Sequence, residues 1–300
     1  MKTALLFPGQ GVQRVGMGKE LYKEFISARE LYEKADNLLG FSIKELCFNG
    51  PQEELTESKN AQVAILLHSY IIFKEIKEKL EFQVLAGHSL GEYTAYLASG
   101  AIEFDDALHL VRFRGELMSA TKNGTMSAII GPSNNDVERI VNKISGIVVT
   151  ANYNSPNQTV ISGEVDAVDK ATEELKKIGA KVINLKVSGA FHSPLMQEVF
   201  DPFRKVLLKT EFKNPAVPVY SNVTGEKITE PEKIREILSE QIIKPVCWVD
   251  ILRNMNKEGV NRFIEIGYGN VLAKLVESTL LNVKTINISS PEDIRRFLEG

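Results

Sequence analysis

Hydrophobic residues in this chain come in two spacings, and the two alternate. An unbroken apolar run at residues 3–7 (TALLF) predicts a buried strand, and the mainly apolar segments at 83–87, 217–221, 262–266 and 285–288 are read as strands too. Between them apolar positions recur three and four apart, the spacing of an amphipathic helix. Residues 20–39 carry Leu21, Phe25, Leu31, Ala35 and Leu38 among charges, and residues 61–80 carry Val63, Ala64, Leu66, Leu67, Tyr70 and Ile71. Helical spacing also covers residues 104–122, 194–208, 234–243, 251–257 and 271–280. Apolar strands alternating with helices predict a mostly parallel sheet covered on both faces.

From residue 124 the order changes to strand, helix, strand, strand, helix, strand. Strands are expected at 125–131, 146–152, 158–162 and 181–187, and helices at 134–144 and 165–178. The amide-rich stretch 152–157 reads as the turn between the middle strands, either plain turn chemistry or a polar rim facing a cleft. This order is that of a ferredoxin-like unit, small enough to be an insertion. The predicted fold class is therefore α/β: an α/β-hydrolase-like large domain with a mostly parallel sheet (1–123 and 189–300), plus an inserted ferredoxin-like small domain (124–188).

The chain is organised around residues 83–100, QVLAGHSLGEYTAYLASG. A buried strand runs into Gly-His-Ser-Leu-Gly and then into an amphipathic helix, the setting of a nucleophile elbow. Gly87 and Gly91 leave room for a tight turn. Ser89 sits at its tip, beside a helix N-terminus that favours developing negative charge. A serine hydroxyl needs a base. His192, in the loop Gly189-Ala190-Phe191-His192-Ser193-Pro194, suits that task better than His68, which lies on an apolar helix face and reads as a core histidine. A carboxylate could orient the imidazole, with Asp201 and Asp250 as candidates, or a backbone carbonyl could do so without leaving a sequence signature. Arg114, among apolar Leu108, Val111 and Leu117, is either solvated, paired with a carboxylate, or turned inward to grip an anionic group.

Composition narrows the class. In 300 residues, 43% are hydrophobic and 25% charged, ordinary for a soluble globular enzyme. A net charge of −3 with no basic stripe argues against nucleic acid. No run approaches the roughly 20 apolar residues of a membrane span. The first apolar run stops at Pro8-Gly9, too soon for a signal peptide, so a cytoplasmic location is expected. Cys47 and Cys247 lack metal-type spacing and fit a reducing compartment. The loop after the first strand matches neither a dinucleotide fingerprint nor a Walker sequence. No metal and no cofactor are expected. Residue chemistry alone reaches a serine-dependent acyl enzyme and leaves the acyl group and its acceptor open.

Several longer motifs occur together in register. They are FPGQG (7–11) followed by Gln13, GHSLGE (87–92), Arg114-Gly115 with Met118, GAFHSPLM (189–196), Gln241 before Pro245-Val246-Cys247-Trp248, and EIGYGNVL (265–272). In this set the chain resembles, over nearly its whole length, the malonyl-CoA:acyl-carrier-protein transacylases of bacterial fatty-acid synthesis, relatives of polyketide synthase acyltransferase domains. The resemblance implies Ser89 as the acylated nucleophile, His192 as its base and the Gln241 carbonyl as the group orienting the imidazole. It implies an oxyanion hole from the Gln10 and Leu90 N–H groups and a grip on the malonyl carboxylate by Arg114. His88 would support the cleft, Asn152 and Asn154 would border the acyl site, and Phe191 would crowd a methyl branch. The implied partners are a coenzyme A thioester and acyl carrier protein, whose phosphopantetheine thiol receives the acyl group in a ping-pong reaction by a monomer. Competing readings are an acyltransferase serving a polyketide synthase in trans, an acyl-thioester hydrolase, which would not need Arg114, and a non-catalytic docking subunit.

Overall fold

The apolar run that opens the chain becomes β1 (Lys2–Phe7), the second central strand is β2 (Val84–Gly87), and both lie within one parallel sheet. The computed structural model describes residues 1–122, 124–187 and 189–299. Asn123 and Ser188, at the predicted domain junctions, and the terminal Gly300 lie outside the described residues. The remaining strands are β3 (Thr125–Ile130), β4 (Val148–Ser155), β5 (Gln158–Gly163), β6 (Lys181–Asn184), β7 (Val219–Tyr220), β8 (Lys227–Ile228), β9 (Val260–Ile266) and β10 (Lys284–Ile288).

One sheet has the order β10-β9-β1-β2-β7-β8. Its pairings are parallel except for the short edge strand β8, which returns antiparallel on β7. Alternate side chains leave opposite faces of a strand. Leu5, Phe7 and Leu85 therefore join the core built with the long helix Ser58–Ile76, while Ala4, Leu6, Val84 and Ala86 pack with Trp248, Ile251, Leu272 and Leu275 on the other side. Helices thus cover both faces, as apolar strands alternating with helices predict. Among the described residues no helix is long and apolar enough to cross a membrane.

The second sheet has the order β4-β5-β3-β6 and is antiparallel throughout. One face carries Ile129, Val148 and Ile161 under the helices Asn134–Val141 and Val165–Lys177. From the other face Met126, Ala128 and Val160 join the main core. A short parallel bridge ties this sheet to the body. Val246 N–H donates to the Ala151 carbonyl (2.8 Å), and Tyr153 N–H donates to the Val246 carbonyl (2.9 Å).

Three expectations change. The helix predicted over 20–39 is two, Lys19–Glu24 and Ile26–Leu39, because Phe25 is extended. The Arg29 guanidinium donates to the carbonyls of Tyr22 and Lys23 that the break exposes. Strand β4 runs on to Ser155, so Asn152 and Asn154 are strand residues rather than turn residues. Helices Ile43–Asn49, Gln52–Thr56 and Pro291–Glu299 and strand β8 are additions to the expected elements: each is short, and the stripes Ile43, Leu46, Cys47 and Ile294, Phe297, Leu298 span little more than one turn.

Candidate active site

The carboxyl ends of β1, β2 and β7 lie side by side, and open α/β sheets hold their ligands at such ends. Gly87 closes β2, Ser89 follows, and the helix Leu90–Ala98 begins at once. Glycine is required at both flanks. A Cβ on Gly87 would lie 1.8 Å from the Gly91 carbonyl carbon, and one on Gly91 would lie 2.0 Å from the Phe7 carbonyl oxygen. Ser89 itself has φ 50° and ψ −105°, outside the conformations an L-residue favours. Its hydroxyl donates to His192 Nε2 at 2.8 Å.

His192 also has a positive φ, 57°. Among the described residues only three non-glycines do, and two are this pair. Such backbone strain persists where its surroundings over-determine it, and gathers at functional sites. The surroundings of His192 are two carbonyls: Nδ1–H donates to Gln241 O at 2.8 Å and to Lys244 O at 3.1 Å. This fixes the tautomer that leaves Nε2 free to accept the serine proton. Asp201 and Asp250 stand exposed on their helices and take no part. Burial, then the positive charge of Arg114, pushes the His192 imidazole down to about 3, against the raising effect of the two carbonyls. It is a neutral base at physiological pH.

Arg114 is turned inward and is 1% exposed. Its guanidinium donates to Gln62 Oε1 (2.9 Å), Gln241 Oε1 (3.1 Å) and Ser89 Oγ (3.1 Å). It also lies over the Tyr93 ring, 5.3 Å from the centroid. These partners are neutral, and a buried cation is costly unless an anion joins it. Gln241 links the network. Its Nε2 donates to the Ser89 carbonyl (3.0 Å) and to Glu92 Oε2 (2.6 Å). Burial pushes the Glu92 carboxyl up to about 8, so it is largely protonated at neutral pH.

A cavity of about 670 Å³ opens onto this constellation. Gln10, His88, Ser89, Arg114, Phe191, His192, Asn152 and Asn154 all line it. The wall contributed by the four-stranded sheet joins apolar Met126, Ala128 and Val160 to the amides of Asn152, Asn154 and Gln158. A pocket with a strained serine, a neutral imidazole on its hydroxyl and a cation beside both can form and discharge an ester whose acyl group carries negative charge.

A family model described as the acyl transferase domain matches residues 4–291. The chain belongs to the acyl transferase family. Among curated relatives, the malonyl CoA-acyl carrier protein transacylase of Bacillus subtilis is 42% identical, covering 99% of this chain and 96% of that protein. The Staphylococcus aureus protein of the same name is 36% identical, covering 100% and 99%. Among solved structures, a malonyl CoA-acyl carrier protein transacylase from Clostridium perfringens superposes with a TM-score of 0.94 at 37% identity, covering 100% of this chain and 96% of that one. A malonyl-transacylase solved in complex with its type II PKS acyl-carrier protein superposes at 0.96 with 34% identity, covering 100% and 99%.

In this acyl transferase the residues singled out from sequence converge. Gln10 lies in the loop after β1, packed so closely on the elbow that a Cβ on Gly9 would come within 2.5 Å of the His88 carbonyl oxygen. Gln13 Oε1 holds that loop by accepting from Gly11 N–H at 2.8 Å. Leu90, fully buried, opens the helix behind Ser89. His88 Nε2–H donates to Asn154 Oδ1 at 2.8 Å, so histidine and asparagine form a wall instead of a base. Asn152 lines the cavity from the same strand, buried and with its Oδ1 unpartnered. Sequence reasoning passed over Gln62, Glu92 as a buried acid, Lys244 and Asn222. The last had a signal: a polar side chain just past the end of a strand predicted at 217–221.

Proposed function

We propose that the chain transfers the malonyl group of malonyl-CoA to the phosphopantetheine thiol of acyl carrier protein, through an ester on Ser89, to supply fatty-acid synthesis. The observation that carries this reading is the Arg114 guanidinium, buried among neutral partners and 3.1 Å from Ser89 Oγ. An acyl group ending in a carboxylate would supply the missing anion, and the planar fork suits a carboxylate.

In the first half-reaction His192 Nε2 takes the Ser89 proton as Oγ attacks the thioester carbonyl. Backbone N–H groups of Gln10 and Leu90 receive the oxyanion. The C–S bond breaks, and the imidazolium returns the proton to the departing CoA thiolate. The second half-reaction runs the same steps in reverse with the carrier's thiol as nucleophile, giving ping-pong kinetics. The Gln241 and Lys244 carbonyls stabilise the transient imidazolium. Arg114 holds the ester away from attacking water, Phe191 crowds a methyl branch, and Asn152 and Asn154 border the acyl group. One chain contributes every residue named, so a cytoplasmic monomer suffices, without a bound cofactor.

The strand order supports a ferredoxin-like unit of residues 124–188 inserted into an α/β-hydrolase-like unit of 1–123 and 189–300. The first would close over the acyl site that the second carries. A polyketide pathway would use the same chemistry, and the neighbour bound to a type II PKS acyl-carrier protein keeps that reading open.

Intact-protein mass after brief incubation with malonyl-CoA tests the proposal. A malonyl-sized adduct is expected on the wild type, absent from Ser89→Ala, and discharged by holo acyl carrier protein. An adduct lost equally fast in buffer would mean a hydrolase.

A further inference from the structure

The elbow leaves the sheet where its neighbour does too, and one side chain bridges the gap. β2 pairs with β7 through Leu85–Val219 and Ala86–Tyr220, after which the β7 backbone turns away, Ser221 N–H donating to the Glu226 carbonyl. Beyond that point the Asn222 side-chain amide takes up the ladder. Its Nδ2 donates to the Gly87 carbonyl at 2.7 Å, and its Oδ1 accepts from Ser89 N–H at 2.6 Å. A residue in a parallel strand bonds its neighbour in this way, its own N–H and C=O reaching the C=O and N–H of residues two apart. Here an amide side chain imitates that residue's pair of groups. Asn222 is wholly buried, and its own backbone is pinned: N–H to Glu92 Oε2 at 3.2 Å, and carbonyl from Cys247 N–H at 2.8 Å.

We propose that Asn222 is a positioning residue for the reaction, clamping His88 from both sides and holding Ser89 in its strained conformation. The clamp has a second consequence. Ser89 N–H is committed to Asn222, so it cannot serve the oxyanion, which leaves that task to the Leu90 and Gln10 N–H groups of the proposed oxyanion hole. Only an amide of this length fits. Aspartate would set a carboxylate oxygen against the Gly87 carbonyl, and glutamine is one methylene too long. The role rests on the proposed use of Ser89 as nucleophile.

The test is the rate of Ser89 acylation by malonyl-CoA in Asn222→Asp and Asn222→Ala, followed by intact mass on the millisecond scale. Labelling of Ser89 by a fluorophosphonate runs in parallel, since it needs an aligned serine and base but no malonyl chemistry. Both rates are expected to fall about 100-fold, the scale of a small misplacement of a reacting group. Malonyl-CoA binding, measured on the slow variants before they turn over, should stay within about threefold, because Arg114 does not touch Asn222. Full labelling rates in folded Asn222→Asp would overturn the proposal, as would a loss of binding equal to the loss of rate. If neither variant folds, the amide serves stability alone and the proposal fails. If wild type labels with fluorophosphonate but takes no malonyl group, the proposed function fails while the role of Asn222 is still decided by labelling.

Discussion

The two halves of the reacting pair are held in opposite ways. Ser89 sits in the contiguous strand, turn and helix of residues 84–98, which glycines on either side allow to close, and Asn222 adds one distant hold on its N–H. His192 has no such local frame. Its orientation comes from two carbonyls some fifty residues downstream, Gln241 and Lys244, just ahead of Val246, which bridges to β4 of the second sheet. Both residues have positive φ, but the first is framed mainly by adjacent sequence with one distant clamp, and the second by distant carbonyls. A nucleophile tolerates no change in its own turn, whereas a base can be supported by groups that need only offer a carbonyl.

The largest effect should come from breaking the local half. In Gly87→Ala the new methyl would meet the Gly91 backbone at 1.8 Å, and backbone cannot swing aside as a flexible side chain can. The expected cost is about 4 kcal/mol or more of stability, read as a lowered urea midpoint, together with loss of the malonyl adduct. A variant with wild-type midpoint and adduct would show that the turn is not as tight as drawn.

That contrast also explains what could be read beforehand. The elbow was legible because its signal is contiguous: apolar strand, Gly87, Ser89, Gly91, amphipathic helix. Five strands of the six-stranded sheet are legible for the same reason, each being a short, mainly apolar segment, whereas the two-residue β8 is not. His192 was found from its loop, but its carbonyl partners have no residue signature, since any side chain can stand on a carbonyl. Gln241 was reached only through resemblance, and Lys244 not at all. Glu92 was quoted inside a motif without a role, because nothing local reveals that Gln241 and Asn222 will meet its carboxyl. Asn152 and Asn154 stand in an amide-rich stretch whose composition suits a turn or a polar rim facing a cleft; that they lie on a strand has no local signal, because clustered asparagines mark turns more often than strands.

Arg114 stands between the halves, touching Ser89 on one side and Gln241 on the other. Arg114→Ala should separate substrate recognition from nucleophile activation. Removing a buried partner of a carboxylate costs about 2–5 kcal/mol, so malonyl transfer should fall by a factor on the order of 100, measured as kcat/KM. Transfer of an uncharged acetyl group should change far less, and the share of malonyl ester lost to water should rise. Equal losses for both acyl groups would assign Arg114 to the elbow's stability and not to the carboxylate.

The smallest effect tests whether the two halves respond oppositely to pH. Glu92 packs beneath the elbow, and burial raises its carboxyl from 4.5 to about 8. The folded protein keeps that proton where the unfolded chain has lost it. Its contribution to stability is complete below pH 4.5 and declines as pH rises towards about 8. His192 runs the other way: burial lowers it from 6.5 to about 3, so its contribution is complete above pH 6.5 and is lost as pH falls towards 3. Glu92→Gln removes the first slope and leaves the second, and it keeps an oxygen for Asn222 N–H and Gln241 Nε2–H. Urea midpoints of wild type and variant between pH 5 and 9 should therefore diverge in the variant's favour, by on the order of 1 kcal/mol per pH unit, and level off above pH 8. Malonyl transfer at pH 7 should stay within a few-fold, since the side chain it replaces is largely neutral there. A constant gap across the range would mean that Glu92 holds its charge throughout, balanced against Arg114 through Gln241. The elbow would then rest on a buried ion pair relayed by an amide, and its support would be no more local than that of the histidine.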